Sequence, residues 1–64
     1  MARYHLYFFE NNALLGDDRI DAADDAAAIR AARAQGRGRV VEVWNARACI
    51  RVLAPAKARE VSEG

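Results

Sequence analysis

This chain of 64 residues has a single cysteine, a single proline, a single serine and no threonine. With Cys49 alone, no disulfide can form within one chain, and a lone thiol suits a reducing compartment. With threonine absent and Ser62 near the C-terminus as the sole serine, Cys49 is the one candidate nucleophile in the patterned part of the chain. No activating motif adjoins it, so no enzymatic activity is expected. Gly36-Arg37-Gly38 is too short to be a phosphate-cradling glycine loop, and no cofactor is expected. No apolar run approaches the roughly 20 residues needed to span a bilayer. Met1-Ala2-Arg3-Tyr4-His5 carries polar residues where a signal peptide needs an apolar stretch, which makes the cytoplasm the expected location.

What the chain has in quantity is alanine and arginine. Apolar residues make up 53% of it, many of them alanine, which forms helix well and fills little volume. Lys57 is the only basic residue that is not arginine. We read this bias as the mark of a GC-rich bacterial genome. The length allows one domain, which buries only about 60% of the surface its unfolded form exposes. So thin a core is usually supplemented by a disulfide, a metal or a partner subunit. The net charge of +1 hides an asymmetry: residues 1–29 hold two arginines against six carboxylates, and residues 30–59 hold eight basic residues against Glu42 alone.

The pattern predicts strand, strand, helix, strand, strand: an α+β fold with a four-stranded antiparallel sheet and one helix on one face. Tyr4-His5-Leu6-Tyr7-Phe8-Phe9 is a strand with no breaker. Asn11-Asn12 is a hairpin turn, since Asn tolerates positive φ. A second strand runs from about Ala13 to Ile20, with a bulge or early end at Gly16-Asp17-Asp18. Residues 24–35 form the helix, with Asp24 as N-cap, Asp25 in the first turn and Gly36 as a left-handed C-cap. Arg39–Trp44 and Ala48–Leu53 are strands 3 and 4, turned at Asn45-Ala46-Arg47 and closed by Pro55. The expected strand order is 2-1-3-4. Residues 1–54 form the domain and 55–64 a frayed tail.

One helix covers one face of such a sheet. Strict alternation puts Leu6, Phe8, Ile20, Val41, Val43, Ile50 and Val52 beneath Ile29 and Ala32. The other face receives His5, Tyr7, Phe9, Val40, Glu42, Trp44, Cys49, Arg51 and Leu53, which is too apolar for a solvated surface. Tyr7, Phe9, Trp44, Arg51 and Leu53 are therefore the expected interface of a homodimer or of a contact with another protein. A sheet edge is the alternative route to self-association. Aromatic residues with Arg nearby could instead stack single-stranded bases, though the glycine-aromatic signature of RNA-recognition sheets is missing.

Three smaller groupings complete the inventory. Arg30, Arg33, Arg37 and Arg39 could hold a phosphate backbone, which makes a weak nucleic-acid accessory protein the alternative function; compensation of the helix dipole explains the same residues. Asp17, Asp18, Asp21, Asp24 and Asp25 lack the spacing of a calcium loop and suit capping and solvation. His5 and Cys49 are two candidate ligands where zinc needs three or four, so no metal is expected.

Arg3-Tyr4-His5-Leu6-Tyr7-Phe8-Phe9, Asp24-Asp25 before Ala26-Ala27-Ala28-Ile29, and Glu42-Val43-Trp44 before the last strand resemble a family of short uncharacterised bacterial proteins with a basic-aromatic N-terminal strand. The likeness covers about residues 1–53 and implies no activity. The strand–strand–helix order is also similar to HicB-type antitoxin domains, which implies a protein partner. The glycine-rich second strand and appended DNA-binding segment of that group are absent here.

Overall fold

The computed structural model describes residues 1–54. The tail expected over 55–64 lies outside the described residues. Strands β1 (Ala2–Glu10) and β2 (Ala13–Ala22) precede helix α1 (Asp25–Gly36), followed by β3 (Val40–Trp44) and β4 (Cys49–Leu53). All four strands form one sheet in the order β2-β1-β3-β4, and each neighbouring pair is antiparallel. The expected ββαββ architecture and strand order are what the chain adopts.

Local chemistry accounts for the connections. Asn11 and Asn12 both take positive φ, 54° and 66°, the pair of left-handed residues that a tight hairpin with matching twist requires. The Asp24 side chain accepts the Ala27 N–H at 2.9 Å and caps α1. Asn45 Oδ1 accepts the N–H groups of Arg47 and Ala48 at 2.7 and 2.8 Å, which makes the β3–β4 turn.

The core holds Tyr4, Leu6, Ala22, Ala28, Ala32, Val41, Val43 and Leu53, with Phe8, Ile20, Ile29 and Ile50 packed against it. The buried helix positions are Ala28, Ala32 and Gly36, one residue per turn, so α1 lies close against the sheet. Gly36 is therefore not the left-handed cap expected of it. A Cβ there would stand 2.5 Å from Val41 Cγ2, in the tightest part of the helix–sheet contact. The left-handed position falls instead on Arg37, at φ 53° and ψ 47°, whose N–H closes the helix on the Arg33 carbonyl. The other end of α1 is tied down by Tyr4, whose buried ring carries a hydroxyl that donates to Asp25 Oδ1 at 2.7 Å.

Two bulges set which side chains face the helix. In β2 the pairing steps from Phe8↔Gly16 to Phe9↔Leu14, leaving Leu15 as the extra residue. This realises the irregularity expected near Gly16, and β2 runs on to Ala22. In β4 the pairing steps from Val43↔Arg51 to Trp44↔Cys49, leaving Ile50 as the extra residue. A one-residue insertion inverts the facing of everything beyond it. Leu53 is thus buried beneath α1, 5% exposed, and Val52 is turned outward, 56% exposed. Strict alternation assigned both to the wrong side. Arg51 likewise lies opposite Val43 on the helix side of the sheet, and its side chain is exposed at the edge strand.

Two predictions follow from these contacts. Gly36→Ala should destabilise the domain by about 1–2 kcal/mol, because overpacking against Val41 outweighs the better helix propensity of alanine. In a Val41→Ala background the same change should become neutral or favourable, and urea unfolding of the four proteins measures that coupling. The second concerns Tyr4, whose pKa is raised above the ordinary 10.0, first by its hydrogen bond to Asp25, then by burial and the Asp25 and Asp24 charges. The fold therefore holds this proton more tightly than the unfolded chain does. The resulting stabilisation is complete below about pH 10 and is lost as the pH climbs through the raised value. The stability difference between wild type and Tyr4→Phe should narrow between about pH 8 and about pH 11.

Candidate interaction face

Residues directly opposite one another on antiparallel strands share a face. The face away from α1 can therefore be laid out from the register. Phe9 lies between Leu14 and Val40; Tyr7 lies between Asp17 and Glu42, with Val52 beyond Glu42. His5 lies between Arg19 and Trp44, with Cys49 beyond Trp44, and Arg3 lies beside Asp21. This layout splits the face. Toward the hairpin end and β4 it presents Leu14, Phe9, Val40, Tyr7, Trp44 and Val52. Toward the N-terminal half of β1 and its β2 partner it presents Arg3, Asp21, Arg19, His5 and Asp17.

His5 Nε2 and Trp44 Nε1 find their partners within the chain. His5 Nε2 lies 2.7 Å from Asp17 Oδ2, and the Tyr7 hydroxyl lies 3.4 Å from His5 Nδ1. With its proton on Nε2, His5 donates to Asp17, whereas the Tyr7 hydroxyl lies over the stacked imidazole, off the in-plane Nδ1 lone pair, and stays open to another partner. The two rings stack at 4.3 Å with an interplanar angle of 19°. Tyr7 meets Trp44 edge to face at 6.3 Å, and Trp44 Nε1 donates to Glu42 Oε1 at 3.0 Å. These contacts hold the rings in place, so the central face offers ring surface broken by Glu42 and His5. Arg3 pairs with Asp21 at 2.8 Å at its margin.

Of the residues expected at an interface, Tyr7, Phe9 and Trp44 stand together on this face, whereas Leu53 belongs to the core and Arg51 to the helix side. Val52 and Leu14, the latter 59% exposed, take their places, and only knowledge of the two bulges could have pointed to them. His5 and Cys49 do share the face, but Trp44 stands between them. Two strand spacings, about 10 Å, separate them, too far for a nucleophile–base pair. Among the described residues, no group of three or more His, Cys, Asp or Glu side chains is placed to hold a metal ion.

The arginines divide as well. Arg30 and Arg33 are exposed on α1. Arg37 and Arg39 lie at the end of the helix and in the turn after it, where they line an open groove of about 480 Å³ that also reaches Phe9. Arg39 donates through Nε to Glu10 Oε1 at 3.0 Å.

No helix among the described residues is long and apolar enough to cross a membrane. Comparison with protein-family models, with curated proteins and with solved structures finds no match to this chain.

Proposed function

We propose that this chain is a protein-interaction module that self-associates through the sheet face opposite α1. The observation that supports this reading is the group Phe9, Tyr7, Trp44, Val40, Leu14 and Val52, set around Glu42, which accepts the Trp44 N–H. Covering such a surface removes apolar area from water with the Trp44 N–H already satisfied, and the desolvation of the Glu42 carboxylate offsets part of that gain.

A second copy suits the layout. In a two-fold contact the apolar half meets its own equivalent, and the charged half falls at the rim, where solvent still reaches it. The sheets would pack face to face at about 10 Å. Four strands by five residues give a plan area of about 300 Å² per copy. Over two copies this is about 600 Å², below the roughly 1,200 Å² of a standard specific contact, so a weak, transient dimer is the expected form. The edges are poorer routes. The β2 edge carries Asp17, Asp18 and Asp21 together with a bulge, and β4 is short, bulged and bears Arg51. These are the devices that discourage strand-to-strand pairing.

Sedimentation equilibrium should therefore show a reversible monomer–dimer equilibrium. Val52→Lys should weaken it by about tenfold or more while leaving the monomer folded, because the new ammonium lies opposite Glu42 and Val52 contributes nothing to the core. A monomer at every concentration, or a dimer indifferent to Val52→Lys and Leu14→Lys alike, would rule the face out.

A further inference from the structure

We infer that the groove between the Asn11–Asn12 turn and the Arg37–Gly38–Arg39 loop is a binding site for a nucleotide unit, a phosphate joined to a planar base. This goes beyond self-association and shares Phe9 and Val40 with the face proposed above, while adding the Arg37–Gly38–Arg39 loop. The groove, of about 480 Å³, lies within the size range of small-molecule sites. It has the two kinds of wall such a ligand needs. Phe9 and Val40 supply apolar surface on which a ring can rest, and Arg37 and Arg39 line the same groove. Between the two arginines stands Gly38, at φ 86°, where an added Cβ would meet nothing within 4 Å; the backbone there is open to close approach by a ligand.

The second observation is the backbone of Arg37. A left-handed residue after a helix is normally glycine, because any Cβ there is strained. The chain has glycine on both sides, at 36 and 38, yet holds arginine in the left-handed position itself. Strain kept at a groove is a pointer to function. The charge of Arg37 has no carboxylate within 4 Å among the described residues. Arg39 is engaged by Glu10 through Nε, which fixes the guanidinium and leaves its other nitrogens for a ligand. Glu10, also in the groove wall, offsets part of the positive charge. Affinity should accordingly be modest, fall with salt, and depend on the base as well as the phosphate.

The test titrates the full chain with adenosine 5′-monophosphate, ribose 5-phosphate and a short single-stranded oligonucleotide at low salt, followed by amide NMR. Adenosine monophosphate should bind at least about fivefold more tightly than ribose 5-phosphate, since stacking adds to the phosphate contact. The Asn11, Gly38 and Val40 amides should shift. Arg37→Gly relieves the strained position, so it should melt no lower than wild type, yet bind about tenfold more weakly. Arg30→Gln with Arg33→Gln should bind within about twofold of wild type. An oligonucleotide bound more tightly than the mononucleotide identifies nucleic acid as the source of the unit; equal affinity identifies a free nucleotide. No binding, equal affinity for ribose 5-phosphate, an undiminished Arg37→Gly, or an equal loss in the Arg30/Arg33 variant would overturn the assignment. Carrying out the titration also in Val52→Lys separates it from self-association: binding should be unchanged or tighter there, because a second copy over Phe9 and Val40 competes with the base, and weaker binding would overturn the assignment.

Discussion

The contact between Val41 and the bare Cα of Gly36 is the constraint on which the rest of this fold depends. With Ala28 and Ala32 on the same stripe, it lets α1 sit close to the sheet and shield Leu6, Val41 and Val43 completely with side chains of almost no volume. Tyr4 anchors the opposite end of the helix through Asp25. A small chain thereby obtains a dry core from few large residues, which is the difficulty any domain of this length faces. The same economy fixes its limit, because a single narrow helix covers a single face. The aromatic residues of β1 and β3 that point the other way have no cover within the described residues.

Much of this was legible in the residues. Asn11-Asn12 permits few alternatives to a tight hairpin, Asp24 ahead of an alanine run marks a helix start, and alternation in β1 and β3 assigns their faces correctly. What alternation could not supply was the phase of β4. The Ile50 bulge leaves no compositional trace, and one extra residue exchanges Leu53 for Val52 on the open face. The C-terminal end of α1 misled for a related reason. Glycine serves equally for a left-handed turn and for a close approach, and position 36 needs the second while Arg37 performs the first. Local sequence shows that a glycine is required somewhere near the helix end; only the packing of Val41 shows why.

The charge asymmetry also acquires a spatial meaning. The carboxylates of the first half serve as cap, hydrogen-bond acceptor to Tyr4, partner to His5 and guard on the β2 edge. Of the arginines of the second half, Arg33, Arg37 and Arg39 stand at the helix end and in the loop beyond it, and Arg47 and Arg51 belong to the β3–β4 hairpin. Phe9 stands where the apolar face and that basic loop meet. It lines both the Arg37–Arg39 groove and a second hollow formed with Asn12, Val40 and Glu42. An aromatic ring at the junction of an apolar face and a basic loop can serve a partner on either side.

Under the proposed self-association, the face bearing Trp44 is open in the isolated chain and covered by a second copy. Trp44 is the sole tryptophan, so its fluorescence reports on that face alone. Acrylamide quenching of Trp44 measured from dilute to concentrated protein tests the claim most directly. The account predicts efficient quenching at high dilution that declines as the copies associate. A quenching constant that is the same at every concentration, whether high or low, would contradict it.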